Sequence, residues 1–314
     1  MDKSMLKKAL TVGVFTALAA LPLEAFAQQD ATCRETMKAC CQQACCQQQY
    51  RVAACDWMML KRQKLGVFQL AKDIGADGVE VDMGPLGQRV LFENKLRDPE
   101  QQQVFRHRAD SLGIAVPSVA MSGFFAQNLL KRNNYLDLID DCLKTMDAMG
   151  ARVAFLPLGG SGYEWKQAGP EHQEMVSRLH EAGQMAVKAG KVIAIRTQLD
   201  ARANLILLKE VNSKGIKIYY NLQDAVDQRR DVCQELRELG VANVAQIHAS
   251  LTDSVTLDKD PRIDMRKVKQ TLDEMGWHGW LVVERSRNAK DVRNVRGNFG
   301  TNVAYLKEIF QNEK

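Results

Sequence analysis

A histidine and a glutamate in the last quarter of the chain each end a short apolar run. His248 follows Val-Ala-Gln-Ile, Glu284 follows Leu-Val-Val, and Arg196 ends the earlier run Val-Ile-Ala-Ile. Polar groups at the ends of apolar strands are costly unless they are paired or used. His248 alone could equally be a hydrogen-bonded core histidine, but a carboxylate on the neighbouring run indicates a site for proton transfer or metal binding.

The other apolar runs end in the same way. Some of these end residues could have a structural role rather than a functional one: Asp56 or Asp82 could be a helix cap, and Glu80 could be held by a salt bridge. The remaining residues at these positions are Asp56, Trp57, Glu80, Asp82, Met121, Ser122, Pro157, Thr197, Tyr220, Asn221, Gln246 and Arg285.

These residues are separated by a regular alternation that begins after Tyr50. Short apolar runs alternate with longer segments of 3.6-residue periodicity. The predicted strands are Val52–Trp57, Gly78–Met83, Ala115–Met121, Arg152–Leu158, Val192–Thr197, Ile216–Leu222, Val244–Ala249 and Trp280–Arg285. The predicted helices are Lys61–Ile74, Pro99–Leu112, Tyr135–Met149, Glu171–Ala189, Leu205–Asn212, Asp227–Leu239, Met265–Met275 and Thr301–Gln311.

Eight strand–helix pairs predict an α/β fold, a single (β/α)8 TIM barrel over residues 51–314. The alternative is an open doubly wound sheet, which usually carries a glycine-rich nucleotide turn after its first strand. The segment Cys55-Asp56-Trp57-Met58-Met59 offers no such phosphate cradle. Because barrel enzymes place their catalytic groups at the carboxyl ends of the strands, we expect the residues named above to share one mouth.

Five motifs occur in a recognisable order. They are Val-Ile-Ala-Ile-Arg196-Thr-x-Leu-Asp, Ile-Tyr-Tyr-Asn221, Gln246-Ile-His248, Pro261-Arg262-Ile-Asp264-Met and Val-Val-Glu284-Arg-Ser-Arg, and Gly78-Val-Glu80-Val precedes them. In this order and strand spacing the chain resembles the sugar phosphate isomerase/epimerase family, with its xylose-isomerase-like barrel. The resemblance covers essentially everything from Arg51 to the end.

The resemblance implies a divalent cation, often manganese, with four ligands: Glu on strand five, Asp on strand six, His on strand seven and Glu on strand eight. His248 and Glu284 match this pattern, but Arg196 and Asn221 occupy the first two positions. Hard cations prefer carboxylate oxygen, and a guanidinium stays charged and repels a cation. We therefore hypothesise that Arg196 replaces the charge of the metal, with Glu284 as its partner. If a metal is bound, its ligands would be Glu284, His248 and Asn221.

The resemblance also implies removal of a proton next to a sugar carbonyl. With Glu284 as the single base, His248 beside it and Arg196 as the electrophile, the expected function is a sugar isomerase, an epimerase or a lyase. A two-base epimerase mechanism is weakened because the base on strand five is missing. The alternatives are a non-catalytic carbohydrate-binding barrel, in effect a degenerate epimerase, and a keto-glycoside lyase. A phosphodiester-cleaving relative is disfavoured because it needs a zinc cluster and the chain has 5 His.

Several residues are candidates for holding a small-molecule sugar or glycoside. Trp57 could stack on a pyranose face, and Arg262, Arg285 or Arg287 could bond hydroxyls, a carboxylate or a phosphate. Arg285 and Arg287 could equally belong to a solvated loop. The other candidates for substrate binding are Glu80, Asn221 and Gln246. The net charge of +5 is spread along the chain, so no nucleic-acid partner is expected, whereas a homo-oligomer is compatible with the sequence.

The N-terminal 50 residues have a different composition. Three lysines, an apolar run and Ala25-Phe26-Ala27 predict a signal peptide over residues 1–27, cleaved after Ala27. The protein is then expected to be periplasmic or secreted, without a stable membrane anchor. Residues 28–50 form a Cys/Gln-rich segment containing Cys33, Cys40, Cys41, Cys45 and Cys46, where disulfides, a loosely ordered linker or a thiolate metal site are possible. Cys142 and Cys233 lie in amphipathic helical patterns and are expected in the core.

Overall fold

Eight parallel strands form a closed barrel in which each strand pairs with its sequence neighbours and β8 pairs with β1. The computed structural model describes residues 49–159 and 164–312, so the predicted signal peptide and the cysteines from Cys33 to Cys46 lie outside the described residues. The strands are β1 Tyr50–Cys55, β2 Gly78–Asp82, β3 Ser118–Ala120, β4 Val153–Pro157, β5 Val192–Arg196, β6 Ile216–Asn221, β7 Val244–His248 and β8 Gly279–Val283. This arrangement confirms the predicted (β/α)8 fold.

Helices cover the outside of the barrel. They are α1 Gly66–Asp73, α2 Pro99–Leu112, α3 Tyr135–Met149, α4 Pro170–Lys188, α5 Ala201–Val211, α6 Leu222–Asp227, α7 Val232–Leu239, α8 Met265–Met275 and α9 Val295–Lys307, which continues as a π-helical turn over Glu308–Asn312. Short 3-10 turns lie at Lys95–Arg97, Ser122–Phe125, Leu129–Lys131, Glu164–Lys166 and Leu257–Lys259. None of the helices in the described part of the chain is long and apolar enough to cross a membrane.

Five predicted elements were wrong at their bounds by three residues or more. The fifth predicted helix begins at Ala201 rather than Leu205, and the last begins at Val295 rather than Thr301. The helix predicted over Asp227–Leu239 begins only at Val232, because Asp227 ends the preceding helix α6. The Asp231 side chain accepts hydrogen bonds from the amides of Cys233 and Gln234 and so starts α7. The third strand begins at Ser118 rather than Ala115, after Pro117, which has no amide to donate.

The first helix begins at Gly66 rather than Lys61. The intervening loop is anchored by buried Gln63, whose side-chain amide donates to the Asp82 carbonyl and to Asn94 Oδ1. Gln63 has a φ of +42°, in the left-handed region that ends a helical path for a non-glycine residue.

The barrel core has two parts. The larger cluster lies between the strands and the helices and includes buried Cys142, as expected; Cys233 is half-buried and packs at the edge of this cluster. The smaller cluster fills the barrel interior, where small Ala53, Ala120 and Ala194 leave room for Phe155 and Tyr219. Because side chains two apart on a strand point to the same face, the residue two positions after each interior filler also points to the barrel axis and lies nearer the mouth.

Candidate active site at the mouth of the barrel

Arg196 lies at the carboxyl end of β5, two residues beyond the interior Ala194. Its Nε and Nη2 donate to the two carboxylate oxygens of Asp224 at 2.8 and 2.7 Å, and its Nη1 lies 3.5 Å from Glu284 Oε2. Burial lowers the pKa of Arg196, but the hydrogen bonds with Asp224 and the charges of Glu284 and Asp224 outweigh it and raise the pKa above its usual value. The guanidinium is therefore a permanent cation at the mouth.

The closest partner of Arg196 is Asp224, in addition to the expected Glu284. Asp224 lies in the first turn of α6, and its amide donates to Asn221 Oδ1, the cap of that helix, at 3.4 Å. A carboxylate in the first turn of a helix that directly follows a strand is held close to the mouth of a barrel. Its position three residues after Asn221 in the sequence was the signal that could have indicated it.

His248 is fully buried beneath the mouth at the end of β7. Its Nε2 lies 3.0 Å from Glu80 Oε1, and its Nδ1 lies 3.6 Å from Glu284 Oε2 and 3.4 Å from Asn221 Nδ2. The imidazole therefore connects a carboxylate inside the barrel with one at its mouth. The expected grouping of His248, Glu284, Arg196 and Asn221 is what the structure contains.

Glu80 is held inside the barrel by three partners. Ser118 Oγ and Tyr219 Oη donate to Glu80 Oε2 at 2.6 and 2.9 Å, and His248 contacts the other oxygen. Burial, the charge of Glu80 and its hydrogen bond raise the pKa of the Tyr219 hydroxyl well above its usual value, so this hydroxyl remains a donor. Gln246 donates to Ser118 Oγ at 3.2 Å, but its Oε1 is buried and has no hydrogen-bond partner among the described residues.

Two buried aspartates follow β1 and end β2. Asp56 accepts hydrogen bonds from the amides of Gln63 and Asp82, and burial followed by the charge of Asp82 raises its pKa well above the usual range. Burial also raises the pKa of Asp82 to about 6, although Arg62 and the amides of Ser122 and Gly84 act in the opposite direction. Neither aspartate caps an α-helix; both organise the loops around the mouth.

A pocket of about 510 Å³ opens at the carboxyl ends of the strands. Four of the predicted site residues line it, namely Trp57, Arg196, Glu284 and Arg285. The residues Glu80, Asn221, Gln246 and His248 lie buried around or beneath it and are not part of its lining. Ser122 and Pro157, which the sequence placed at strand ends, also line the pocket. The sequence did not indicate Arg62 or Phe125, which line it from loops.

The aromatic surface differs from what the sequence suggested. Trp57 is only 9% exposed, and its ring is parallel to that of Phe155 at a centroid distance of 6.3 Å. Phe125 is 38% exposed, and its ring centroid lies 5.5 Å from the guanidinium carbon of Arg196. Phe125 therefore offers more free aromatic surface to a ligand than Trp57 does.

Arg262 does not reach this pocket. Its Nε and Nη2 lie 2.9 and 2.7 Å from the carboxylate of Asp260, and its Nη1 lies 3.1 Å from Asp227. It lines a separate groove between α6, α7 and the start of α8. Arg287 is likewise engaged, since its Nη2 lies 2.5 Å from Asp253. The structure therefore brings Arg285, but not Arg262, into the lining of the mouth.

The donor set at the mouth does not fit the cation that the resemblance implies. No group of three or more His, Cys, Asp or Glu side chains in the described residues is arranged to hold a metal ion. Glu284 and His248 approach each other, but the Arg196 guanidinium lies 3.5 Å from the same Glu284 oxygen that would bind the cation. A permanent cation at that distance opposes a second one, by about 4–5 kcal/mol per unit charge at an effective dielectric constant of about 20.

Comparisons with known proteins agree with this fold. The family model described as xylose isomerase-like TIM barrel matches residues 68–309. No curated protein sequence matches the chain significantly.

Three solved structures illustrate the similarity. A xylose isomerase domain protein from Planctomyces limnophilus is 17% identical, with a TM-score of 0.61 over 78% of this chain and 93% of that one. D-Psicose 3-epimerase from Clostridium cellulolyticum H10 is 13% identical, with a TM-score of 0.64 over 83% and 99%. A 3-keto-D-glucoside 4-epimerase from E. coli is 15% identical, with a TM-score of 0.62 over 82% and 99%.

At these identities the structural matches concern the fold, whereas the family match spans most of the chain. The closed barrel, the site at its mouth and the match over residues 68–309 lead to one conclusion. The chain belongs to the family of xylose isomerase-like TIM barrels.

Proposed function

We propose that this protein is an enzyme that removes a proton from the carbon next to the carbonyl of a sugar or keto-sugar. The observation that carries the proposal is the pairing of Glu284 with Arg196 at 3.5 Å, with both residues lining one pocket. The sugar epimerases among proteins of similar fold support the substrate class. Isomerisation, epimerisation and elimination from a keto-glycoside all begin with this proton transfer.

Glu284 is the base in this proposal. It is the only carboxylate that lines the pocket among the described residues, and it follows directly from β8, which holds it rigidly. Its backbone amide donates to Ser250 Oγ at 3.2 Å, which helps to fix the strand end. A carboxylate held beside the substrate can take a proton from carbon, a contribution of about 10²–10⁴ in rate.

Arg196 is the electrophile. Asp224 occupies its Nε and one side of Nη2, so the hydrogens on Nη1 face Glu284 and the pocket. Removing a proton next to a carbonyl places negative charge on the carbonyl oxygen, and a guanidinium already in position stabilises that charge without reorganising. Asp224 acts as a positioning residue because it fixes the plane of the guanidinium. The proposed reaction is independent of a divalent metal, since Arg196 supplies the positive charge.

Exchange of the substrate's carbon-bound proton with solvent tests the proposal. The protein is incubated in D2O with a panel of aldoses, ketoses and 3-keto-glycosides, in EDTA and in Mn²⁺, and the proton signal is followed by NMR. We expect exchange in EDTA, a loss of about 10²–10⁴-fold in Glu284→Gln, and a loss of about 10²–10³-fold in Arg196→Met. Glu238→Gln, an exposed glutamate on α7, is the matched control and should leave exchange unchanged.

The second candidate is a carbohydrate-binding barrel without catalysis. One observation favours it: the strand-five position that would carry a second base is held as an ion pair by Asp224. Saturable sugar binding by calorimetry, together with no proton exchange for any substrate in the panel, would establish this alternative and overturn the enzymatic proposal. Exchange that appears only with Mn²⁺ and disappears in EDTA would overturn the metal-independent form of the proposal.

We also propose that the protein is exported, with cleavage after Ala27, which supports free sugars or glycosides as substrates. The support is the pattern of Lys3, Lys7 and Lys8 followed by an apolar run and Ala25-Phe26-Ala27. N-terminal sequencing of the protein purified from its native cells should begin at Gln28. A mature chain beginning at residue 1 or 2 would contradict export by this route.

A further inference from the structure

The charges that line the mouth pocket are unbalanced. Three arginines, Arg62, Arg196 and Arg285, contribute to the described lining, whereas Glu284 is its single acidic residue. Arg196 and Glu284 are assigned to the reaction by the proposed function. Arg62 and Arg285 have no role in that reaction, and they come from the loops that follow the adjacent strands β1 and β8.

The loop after β1 is built to hold Arg62 in place. The Gln63 amide donates to Asp56 Oδ2 at 2.9 Å, and Gln63 Oε1 accepts from the Lys95 amide at 2.7 Å. The φ of +42° at Gln63 shows that these contacts hold the backbone in a conformation that a glutamine rarely adopts. The loop therefore fixes the backbone immediately after Arg62.

The side chain of Arg62 is oriented by contacts with Asp82 and Ser122. Its Nε lies 3.0 Å from Asp82 Oδ1, and its Nη2 donates to Ser122 Oγ at 3.3 Å. No contact in the described residues engages Nη1, and the side chain is 38% exposed while it lines the pocket. Arg62 thus has free N–H groups on a guanidinium that Asp82 and Ser122 hold in place, an arrangement that suits a planar acceptor.

Arg285 is less well paired than its neighbour Arg287. Asp253 contacts Arg287 Nε at 3.2 Å and Nη2 at 2.5 Å, but its distance to Arg285 Nη2 is 3.4 Å. The backbone of Arg285 is fixed because its amide donates to Ser250 Oγ at 3.0 Å. A second guanidinium with a weak internal partner therefore lines the same pocket.

We propose that the substrate is a sugar acid, and that Arg62, with Arg285, binds its carboxylate while the carbonyl end lies between Glu284 and Arg196. This inference rests on the proposed function for the placement of the carbonyl end. Arg62 is a specificity-determining residue, since it selects an anionic ligand over the neutral sugar of the same size. Phe125 supplies an exposed apolar face for the sugar between the two ends.

The charges favour a carboxylate over a phosphate monoester. Arg62, Arg285 and Arg287 carry three positive charges, and the nearby Asp82 and Asp253 carry two negative ones. This end of the pocket therefore balances about one additional negative charge. A phosphate monoester carries about −1.5 to −2 charges at neutral pH and has more acceptor oxygens than these free N–H groups satisfy. A carboxylate carries one charge, and its geometry matches a guanidinium edge.

Binding measured without turnover tests the inference. Calorimetric titrations compare D-glucuronate and D-gluconate with D-glucose and with D-glucose 6-phosphate, each at low and high salt. We expect a sugar acid to bind about 10- to 100-fold more tightly than glucose, and this preference to shrink as salt screens the charges. Equal binding of glucose and the acids, or tighter Arg62-dependent binding of the sugar phosphate, would overturn the inference.

Arginine variants identify the residue responsible. Arg62→Gln should lose about 10-fold or more in affinity for the acid with little change for glucose, and Arg62→Lys should recover part of the loss. Arg237→Gln, which removes an exposed arginine paired with Glu274 on the outer helices, is the matched control. Arg285→Gln provides a second variant in case Arg62→Gln unfolds, and an unchanged preference in both folded variants would refute the role of these arginines.

The two proposals fail separately. If proton exchange is absent for every substrate but a sugar acid still binds through Arg62, the carboxylate site stands and the enzymatic proposal falls, together with the placement of the carbonyl end. If neutral sugars exchange their protons and the acids neither bind nor react, the enzymatic proposal stands and the inference falls.

Discussion

Replacing Arg196 by methionine removes the one cation that two buried carboxylates share. The side chains of Arg196 and Asp224 are each 10% exposed, and that of Glu284 is 5% exposed. Removing one partner of a buried ion pair costs about 3–5 kcal/mol, because the remaining charges lose their compensation while they stay out of water. For a domain of this size we expect the thermal midpoint to fall by about 6–20 °C.

Urea denaturation of the wild type, Arg196→Met, Asp224→Asn and the double variant measures this coupling. The double variant should be about 1–3 kcal/mol more stable than the sum of the two single changes predicts, since the neutral side chain in Asp224→Asn needs no cation beside it. The cost of Arg196→Met should also shrink at low pH, where protonation removes the unpaired negative charge. The control is Arg237→Gln, which breaks an exposed pair and should change stability by less than about 1 kcal/mol.

One result would refute the reasoning about Arg196. If Arg196→Met costs less than about 1 kcal/mol, with no dependence on pH and strict additivity with Asp224→Asn, the pair behaves as a solvated surface contact. The guanidinium would then not be held in place before the substrate binds. Its proposed role as a positioned electrophile would lose its physical basis.

Three further predictions concern the mouth and its loops. The double variant Arg196→Glu with Asn221→Asp should have a Mn²⁺ site that the wild type lacks. Mn²⁺ at about 100 times its Kd should then add about 2.7 kcal/mol to the unfolding free energy of the variant and nothing to that of the wild type. No Mn²⁺-dependent shift in the variant would contradict this. Gly84→Ala should cost about 1–3 kcal/mol in urea denaturation, because Gly84 has a φ of +89° and an added Cβ would lie 2.3 Å from a backbone carbonyl oxygen; wild-type stability would contradict the strain. Burial raises the pKa of Asp82 from 3.8 to about 6, so its contribution to stability is complete below about pH 3.8 and is lost as the pH rises through about 6. The unfolding free energy of Asp82→Asn should therefore depend less on pH between these values, and an unchanged slope would contradict this.

The barrel was predictable from the sequence because its strands are recorded in local patterns. Buried parallel strands such as Val192–Arg196 appear as nearly continuous apolar runs, and amphipathic helices between them supply the crossovers. The bounds of the elements were less predictable, because they depend on single contacts. The break between α6 and α7 at Asp231 is a capping choice, and the late start of α1 depends on contacts between Gln63 and residues of a distant loop.

The site was predictable where it depends on strand ends. Arg196, His248 and Glu284 meet at the mouth because the carboxyl ends of all eight parallel strands lie on one side of the barrel. Residues farther along the loops, such as Arg62 and Phe125, escaped prediction, since a loop can direct a side chain toward the pocket or away from it. Arg62 points in and Arg262 pairs with aspartates outside, although both follow strand ends in the sequence.

The sequence by itself determined that a barrel mouth would gather a histidine, a glutamate and, in the place of a metal-binding carboxylate, an arginine. Residue identity and the period-two order of strands are local properties, and they suffice to bring the three side chains to one mouth. That a metal-binding carboxylate would stand at position 196 is implied by the resemblance to the family. Only the tertiary structure decided that Asp224 holds Arg196, that Glu80 lies beneath His248, and that Arg62 lines the pocket. Those pairings join segments far apart in the chain, and their geometry depends on how the closed barrel packs rather than on any local pattern.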